Sequence, residues 1–251
     1  SEKYKGEIHF STGSNTARSS SNFYALNNGI ATLFEIRGVG IGKTSFKRRI
    51  NSGLAVGFSF LKTAYENSNF IFNQIDIANT YTNDIVLQHE RSIYTDVIKA
   101  IDIESNELID FSTTMHSSKD SYAISKRDRP LAYIIKKNNY GFIEKLNDVG
   151  VNYVELEKDT MIYSGGYKVV EFNNKFKVYE KMKMQKVVTS IEYSNNKFSK
   201  GDILISMNQK RSNLIAELLE PEAPNSYVSF GIIKTSLNNQ LPIYRIKNFN
   251  N

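Results

Sequence analysis

Residues 31–38, Ala31-Thr32-Leu33-Phe34-Glu35-Ile36-Arg37-Gly38, constrain the fold more than any other stretch of the chain. An apolar, β-branched run of this kind reads as a strand inside a sheet covered on both faces. Gly38, Gly40 and Gly42 then supply a turn. Thr44 or Ser45 is a good N-cap for a helix. Phe46, Ile50, Leu54, Phe58, Leu61 and Tyr65 recur every three or four residues, which marks one face of that helix, with Lys47, Arg48 and Asn51 opposite. Gly53 and Gly57 lower helix propensity and imply close packing against a neighbour. Strand, turn and helix is the local order. Glu35 is the one carboxylate in the run, and burying a lone carboxylate is costly unless it is paired or functional.

The glycine turn precedes a helix, as a phosphate-binding loop would. Only three residues separate Gly38 from Gly42-Lys43-Thr44, and Arg37 stands where a P-loop glycine belongs. Lys43 occupies the place of the last glycine in the dinucleotide pattern. Neither nucleotide motif is complete.

With 251 residues, 40% of them hydrophobic and 12% aromatic, the chain can bury a substantial core. It has no cysteine, so it has neither a disulfide framework nor thiol chemistry. No run of 18 apolar residues is present, and no membrane partner is expected. The formal net charge is +6, but the basic residues are scattered and no nucleic-acid signature accompanies them, so nucleic acid is not an expected partner.

Further along, Leu131–Ile135, Tyr140–Val149 and Val151–Leu156 read as a β–α–β unit with parallel strands, with Gly150 closing the helix. Lys168–Phe172 and Lys175–Tyr179 read as a hairpin about Asn173-Asn174. Asn195-Asn196 and Lys200-Gly201-Asp202 mark turns. Asn208 to Leu219 reads as a helix with Leu214, Ile215, Leu218 and Leu219 inward, ended by Pro221 and Pro224. The acids Glu220 and Glu222 after it read as solvated or capping. Residues 69–129 have a mixed pattern, with strand-like or short helical pieces near 84–87 and 96–102.

Several segments together resemble one family. They are Leu26–Gly42, Thr16-Ala17-Arg18-Ser19 with Phe23-Tyr24-Ala25-Leu26, and downstream Leu218–Ser226 and Leu241-Pro242-Ile243-Tyr244-Arg245. They are similar to the M14 zinc carboxypeptidases, most of all to bacterial members with an added C-terminal region. The resemblance is densest at 22–42 and 203–246, and it implies that the segment holding Glu220 and Glu222 helps dock the tail. It implies that Glu35 is the catalytic carboxylate, a general base for a zinc-bound water, and that Arg18 and Tyr24 contact a peptide substrate. Arg37 is expected to form a structural salt bridge beside Glu35.

Zinc is the implied cofactor. The family binds it through His-x-x-Glu and a later His, all upstream of the catalytic Glu. His9, His89 and His116 carry no such spacing, so the ligands are expected outside this chain, in an N-terminal part that completes the peptidase domain. The expected fold class is α/β. Residues 1–66 would be the closing strand–turn–helix of a carboxypeptidase-like sandwich, and 67–251 an appended α+β, β-rich domain. The alternative on the same scaffold is a non-catalytic module that binds a peptide or a partner.

Overall fold

A computed structural model describes residues 8–38, 40–80, 83–137, 140–175 and 178–248. The chain is mixed α/β, with most of its regular structure in strands.

The strongest core surrounds a six-stranded sheet near the C-terminus. Its strands are β4 (Ala132–Ile135), β5 (Val154–Glu155), β6 (Thr160–Asn173), β9 (Lys186–Phe198), β10 (Ile203–Ser206) and β11 (Gln240–Ile246), in the order β5-β10-β4-β11-β6-β9. Every neighbouring pair is antiparallel. β4 and β5 both pair antiparallel with β10, so they run parallel to each other with β10 between them. The expected β–α–β unit is therefore present in split form, closed by helix α4 (Tyr140–Asp148). Phe142, Ile143 and Leu146 of α4 are buried, and Gly150 takes φ +69° just past its end, where its missing Cβ relieves the left-handed strain.

Period-two alternation sorts the side chains across this sheet. Tyr133, Ile135, Ile203, Ile205, Leu241 and Ile243 enter one core with α4 and helix α5 (Ser212–Leu219). Ala132, Ile134, Phe198, Tyr244 and Ile246 form a smaller cluster on the other face. Leu214, Ile215 and Leu219 of α5 point inward as the spacing predicts, and Leu218 packs partly against them.

Two turn expectations fail. β6 does not fold back at Asn173-Asn174. It pairs along its length with β9, and a separate small hairpin, β7 (Val178–Tyr179) with β8 (Met182–Lys183), lies between them. Asn195 and Asn196 lie within β9, opposite Tyr163 and Ile162. Asparagine tolerates turns but does not force them, and a long continuous partner strand decides the pairing.

Residues 69–129 hold helix α3 (Ser68–Asn79) and a long two-stranded ribbon, β2 (Ile85–Ile101) against β3 (Leu108–Arg127), with β1 (His9–Ser11) added in parallel to β3. Only the root of β2 enters the main core, through Ile85 and Leu87.

At the N-terminal end, helix α1 (Ser20–Leu26) is followed by an extended segment, a 3-10 turn at Gly42–Ser45 and helix α2 (Phe46–Glu66). Gly40 and Gly42 adopt φ +88° and +65°, which glycine allows without strain. The Ser45 hydroxyl donates to the carbonyls of Gly38 and Gly42 and ties the turn to the helix. Helix α2 lies where the periodicity puts it. Residues 30–37 do not form the expected strand. A strand needs neighbours for its N–H and C=O groups, and among the described residues no strand pairs with this segment. Its backbone runs extended and largely exposed beside α2.

Candidate functional site

The extended segment is held to α2 by side chains rather than by a sheet. Ile36 reaches Gly53, where an added Cβ would lie 3.6 Å from its Cδ1. Phe34 meets Phe60 edge to face at 6.1 Å. Arg48 Nη2 donates to the Arg37 carbonyl at 2.6 Å. Between segment, α1 and α2 lies a concavity of about 540 Å³ lined by Ser20, Tyr24, Leu33, Phe34, Gly57 and Phe60.

Glu35 follows the lining residues directly. Its side chain is exposed, and it forms no ion pair among the described residues. Arg37, expected to form a salt bridge beside Glu35, likewise has no ion pair among the described residues. Arg37 is exposed, and its carbonyl, not its guanidinium, is the group that bonds to α2. Without a pleated strand, nothing aligns the two side chains on one face.

The outer surface of α2 is bare. Phe46, Ile50, Leu54, Phe58, Leu61 and Tyr65 all remain exposed, with Phe58 at 68% and Tyr65 at 84%. Neither α2 nor α3 contains a buried residue. A continuous apolar stripe on an amphipathic helix is a packing face, and here it is uncovered on the same element that walls this concavity.

Tyr24 joins this concavity, but Arg18 does not. Arg18 Nε donates to Asn225 Oδ1 at 2.8 Å, and its guanidinium lies over the Tyr179 ring at 3.8 Å and faces the Phe230 ring at 5.4 Å. Glu180 is 3.8 Å from Nη1. The Thr16–Ser19 loop is thus fastened to the C-terminal region, and Arg18 is its main contact.

A second polar constellation escaped the sequence reading. Glu220 is wholly buried. One of its oxygens accepts from Arg127 Nη1 at 2.6 Å, and the other accepts from the Tyr133 hydroxyl at 2.5 Å and lies 3.5 Å from Arg245 Nε. Glu222 pairs with the same Arg127 at 2.8 Å and accepts from the Thr189 amide and hydroxyl. Arg245, also wholly buried, bonds to the Asp128 carbonyl and pairs with its carboxylate at 3.4 Å. The acids after α5 are therefore neither solvated nor caps. They lock the root of the β3 ribbon to the sheet.

Burial alone would lower the Arg127 and Arg245 pKa values. For Arg127 the Glu222 hydrogen bond and the Glu220 charge more than reverse that, and Arg245 is likewise held above its usual range. Burial, reinforced by the Glu220 charge, pushes the Tyr133 and Tyr167 phenols well up. The cluster is charge-compensated and closed, which suits a structural role. Its signal was in the sequence: Leu241, Ile243 and Arg245 share one face of β11, so Arg245 had to enter the core on the same side as two aliphatic residues.

Among the described residues, no three His, Cys, Asp or Glu side chains come together as a metal-binding group. His9 and His116 stack on each other at 4.7 Å in the ribbon, and His89 is exposed at the edge of a different cleft. The described residues therefore present no ligand set for zinc.

No family model matches the chain, and no solved structure matches it. Among curated proteins it is similar to carboxypeptidase 2 of Trichophyton equinum, at 30% identity over 235 residues, covering 90% of this chain and 43% of that protein. It is also similar to carboxypeptidase 2 of Trichophyton tonsurans, at 29% over 230 residues, and of Trichophyton rubrum, at 29% over 235, with the same coverage of both chains. These relatives are fungal, not the bacterial proteins that the sequence motifs resemble. The likeness runs over nine-tenths of the chain, and so extends well past the two segments where the motifs are densest. The chain spans less than half the length of these relatives.

Proposed function

We propose that this chain is the C-terminal portion of a zinc metallocarboxypeptidase of the M14 type, which hydrolyses a peptide or amide bond with Glu35 as general base. The observation that carries the reading is the bare face of α2 beside the Glu35 segment, in a chain resembling carboxypeptidases over most of its length but less than half of theirs. An uncovered apolar helix face and an unpaired extended segment are what remain of an α/β sandwich when its other strands are contributed by different sequence.

In this reading the segment 30–37 joins a sheet in the complete protein, and Glu35 comes to rest at the edge of a closed cleft. Its carboxylate accepts a proton from the attacking water and returns it to the leaving amine. Tyr24, across the same concavity, contacts the peptide. Arg18 is held by Asn225 and Tyr179, so a substrate role for it requires the peptide to reach the boundary with the C-terminal region. The resemblance implies zinc. Because the described residues form no ligand set, its ligands are assigned to sequence beyond this chain, and zinc-dependent steps fall outside what these residues do.

The open exposure of Glu35 favours a second reading, a peptide- or partner-binding module on the same scaffold without catalysis. One experiment separates the two. The full-length protein is assayed for zinc content and for release of C-terminal residues from a peptide mixture. The enzyme reading expects one zinc per chain and a rate that falls about 100- to 10,000-fold on Glu35→Gln with zinc retained. Absence of zinc, or an activity indifferent to Glu35→Gln, would reject it.

A further inference from the structure

Behind α1, on the side away from Glu35, lies a separate cleft of about 530 Å³. Thr16 and Ala17, the Asn22, Ala25 and Leu26 side of α1, and the root of β2 at Val86 and His89 form three of its walls. The end of α5 and the following loop, with Glu217, Pro224 and Asn225, form the fourth. A smaller cavity of about 230 Å³ continues from it past Leu26, Val86 and Glu217 toward Asp84 and Arg129.

Glu217 is the charged wall of both. Its Oε1 accepts from the Asn225 amide at 3.1 Å and from Asn225 Nδ2 at 2.7 Å. The other oxygen has no hydrogen bond and no ion pair among the described residues, and it stays accessible on a residue that lines the cleft. Burial pushes the Glu217 carboxyl above the usual range, against the lowering effect of the Asn225 bonds.

A half-buried carboxylate with one oxygen held by Asn225 and the other open is a ready counter-ion for a cation that enters the cleft. Among the described residues no cation bonds to that oxygen. Arg129 is committed to the Asn83 carbonyl and the Asn213 side chain, and Arg18 to Asn225 Oδ1. The other titratable groups on these walls are His89 and Asp84.

We propose that this cleft binds a primary ammonium group on a short aliphatic stem, with the free oxygen of Glu217 as its counter-ion. Ala17, Ala25, Leu26, Val86 and Pro224 give the stem an apolar bed, and the volume is of the size that small-ligand pockets have. The carboxylate is held ready. Asn225 is fixed by Arg18 as well as by Glu217, and its loop is cross-tied by Ser226 Oγ to the Pro221 carbonyl at 3.1 Å and Ser229 Oγ to the Ala223 carbonyl at 2.8 Å. The inference does not depend on the peptidase reading. The two sites share only α1, with Ser20, Ser21 and Tyr24 facing one and Asn22, Ala25 and Leu26 the other.

The test is a titration of the full-length protein with n-butylammonium and with Nα-acetyl-lysine amide, followed by protein chemical shifts, with n-butanol and butyrate as neutral and anionic controls. Saturable binding of butylammonium is expected, with shifts confined to α1, the β2 root and residues 217–225. Binding of the lysine amide as well identifies a peptide side chain as the source, and binding of butylammonium alone identifies a free amine. Glu217→Gln, which keeps the shape and the Asn225 contact, is expected to weaken binding about tenfold or more. Ala25→Trp, at an exposed position on the wall, should abolish it without touching the carboxylate, and it decides the matter if the Glu217 variant does not fold. No saturable binding of either ammonium, equal binding of butanol, or affinity unchanged in both variants overturns the proposal.

Discussion

Replacing Glu220 by Gln probes the closed ionic cluster directly. The change keeps volume but removes the charge that Arg127 contacts at 2.6 Å and Arg245 approaches at 3.5 Å. Breaking a buried ion pair by removing one partner costs about 3–5 kcal/mol, chiefly because the surviving charge stays buried. Here both guanidiniums keep a second carboxylate, Glu222 at 2.8 Å for Arg127 and Asp128 at 3.4 Å for Arg245. The Tyr133 hydroxyl also keeps an acceptor, since the Gln carbonyl can replace the carboxylate oxygen. Those survivors place the expected loss at the low end, about 3 kcal/mol. For a chain of this size that lowers Tm by roughly 6–12 °C. Urea and thermal unfolding followed by circular dichroism measure it. Asp159→Asn, which removes the exposed pair with Lys197, serves as the control and should leave Tm unchanged. If Glu220→Gln proved as harmless as the control, the cluster would not be the lock described above.

Stability should also fall on the alkaline side. Tyr133 and Tyr167 have phenols raised above the ordinary value of 10.0, so their contribution is complete below pH 10 and is lost as pH rises beyond it, where the unfolded tyrosines ionise first. Tyrosinate absorbance and unfolding free energy measured across that range check the sign, and Tyr133→Phe should flatten the slope. Leu54→Asp, on the bare face of α2, should alter the stability of the 251-residue chain by no more than about 0.5 kcal/mol. In the full-length protein the proposed function expects the same change to cost more than about 2 kcal/mol, since it places this face in a buried interface there. Equal effects in the two contexts would show that nothing packs on α2.

Helix α2 was legible because six apolar residues keep step with the helical period, and that signal is the same whether or not the face is covered. The α4 and α5 helices and the strand–helix–strand order were legible for the same reason, helped by Gly150 and by Pro221, but the insertion of β10 between the two strands had no local signal. The strand at 30–37 was not confirmed because apolar periodicity reports what a segment prefers to bury, while a strand exists only through its neighbours. The β2–β3 ribbon was obscured because exposed strands such as Lys99–Ile101 against Leu108–Asp110 carry charged and apolar residues side by side, with no solvent face to set against a core face. Of the candidate site, Tyr24 and residues 30–34, just before Glu35, line one concavity. The anchoring of Arg18 by Asn225, more than two hundred residues away, had no local signature.

The ribbon has a mechanical consequence. Its pairing slips register between Val86 and Ser92, and beyond that it runs regularly to Ile101. Ten strand residues extend about 33 Å, so a tilt of about 10° at the bulged stretch swings the tip by roughly 6 Å. The foot of this lever, at Arg127, is clamped by two carboxylates. A tilt above the clamp therefore carries β1 with it, because β1 pairs with β3 at Thr114–His116.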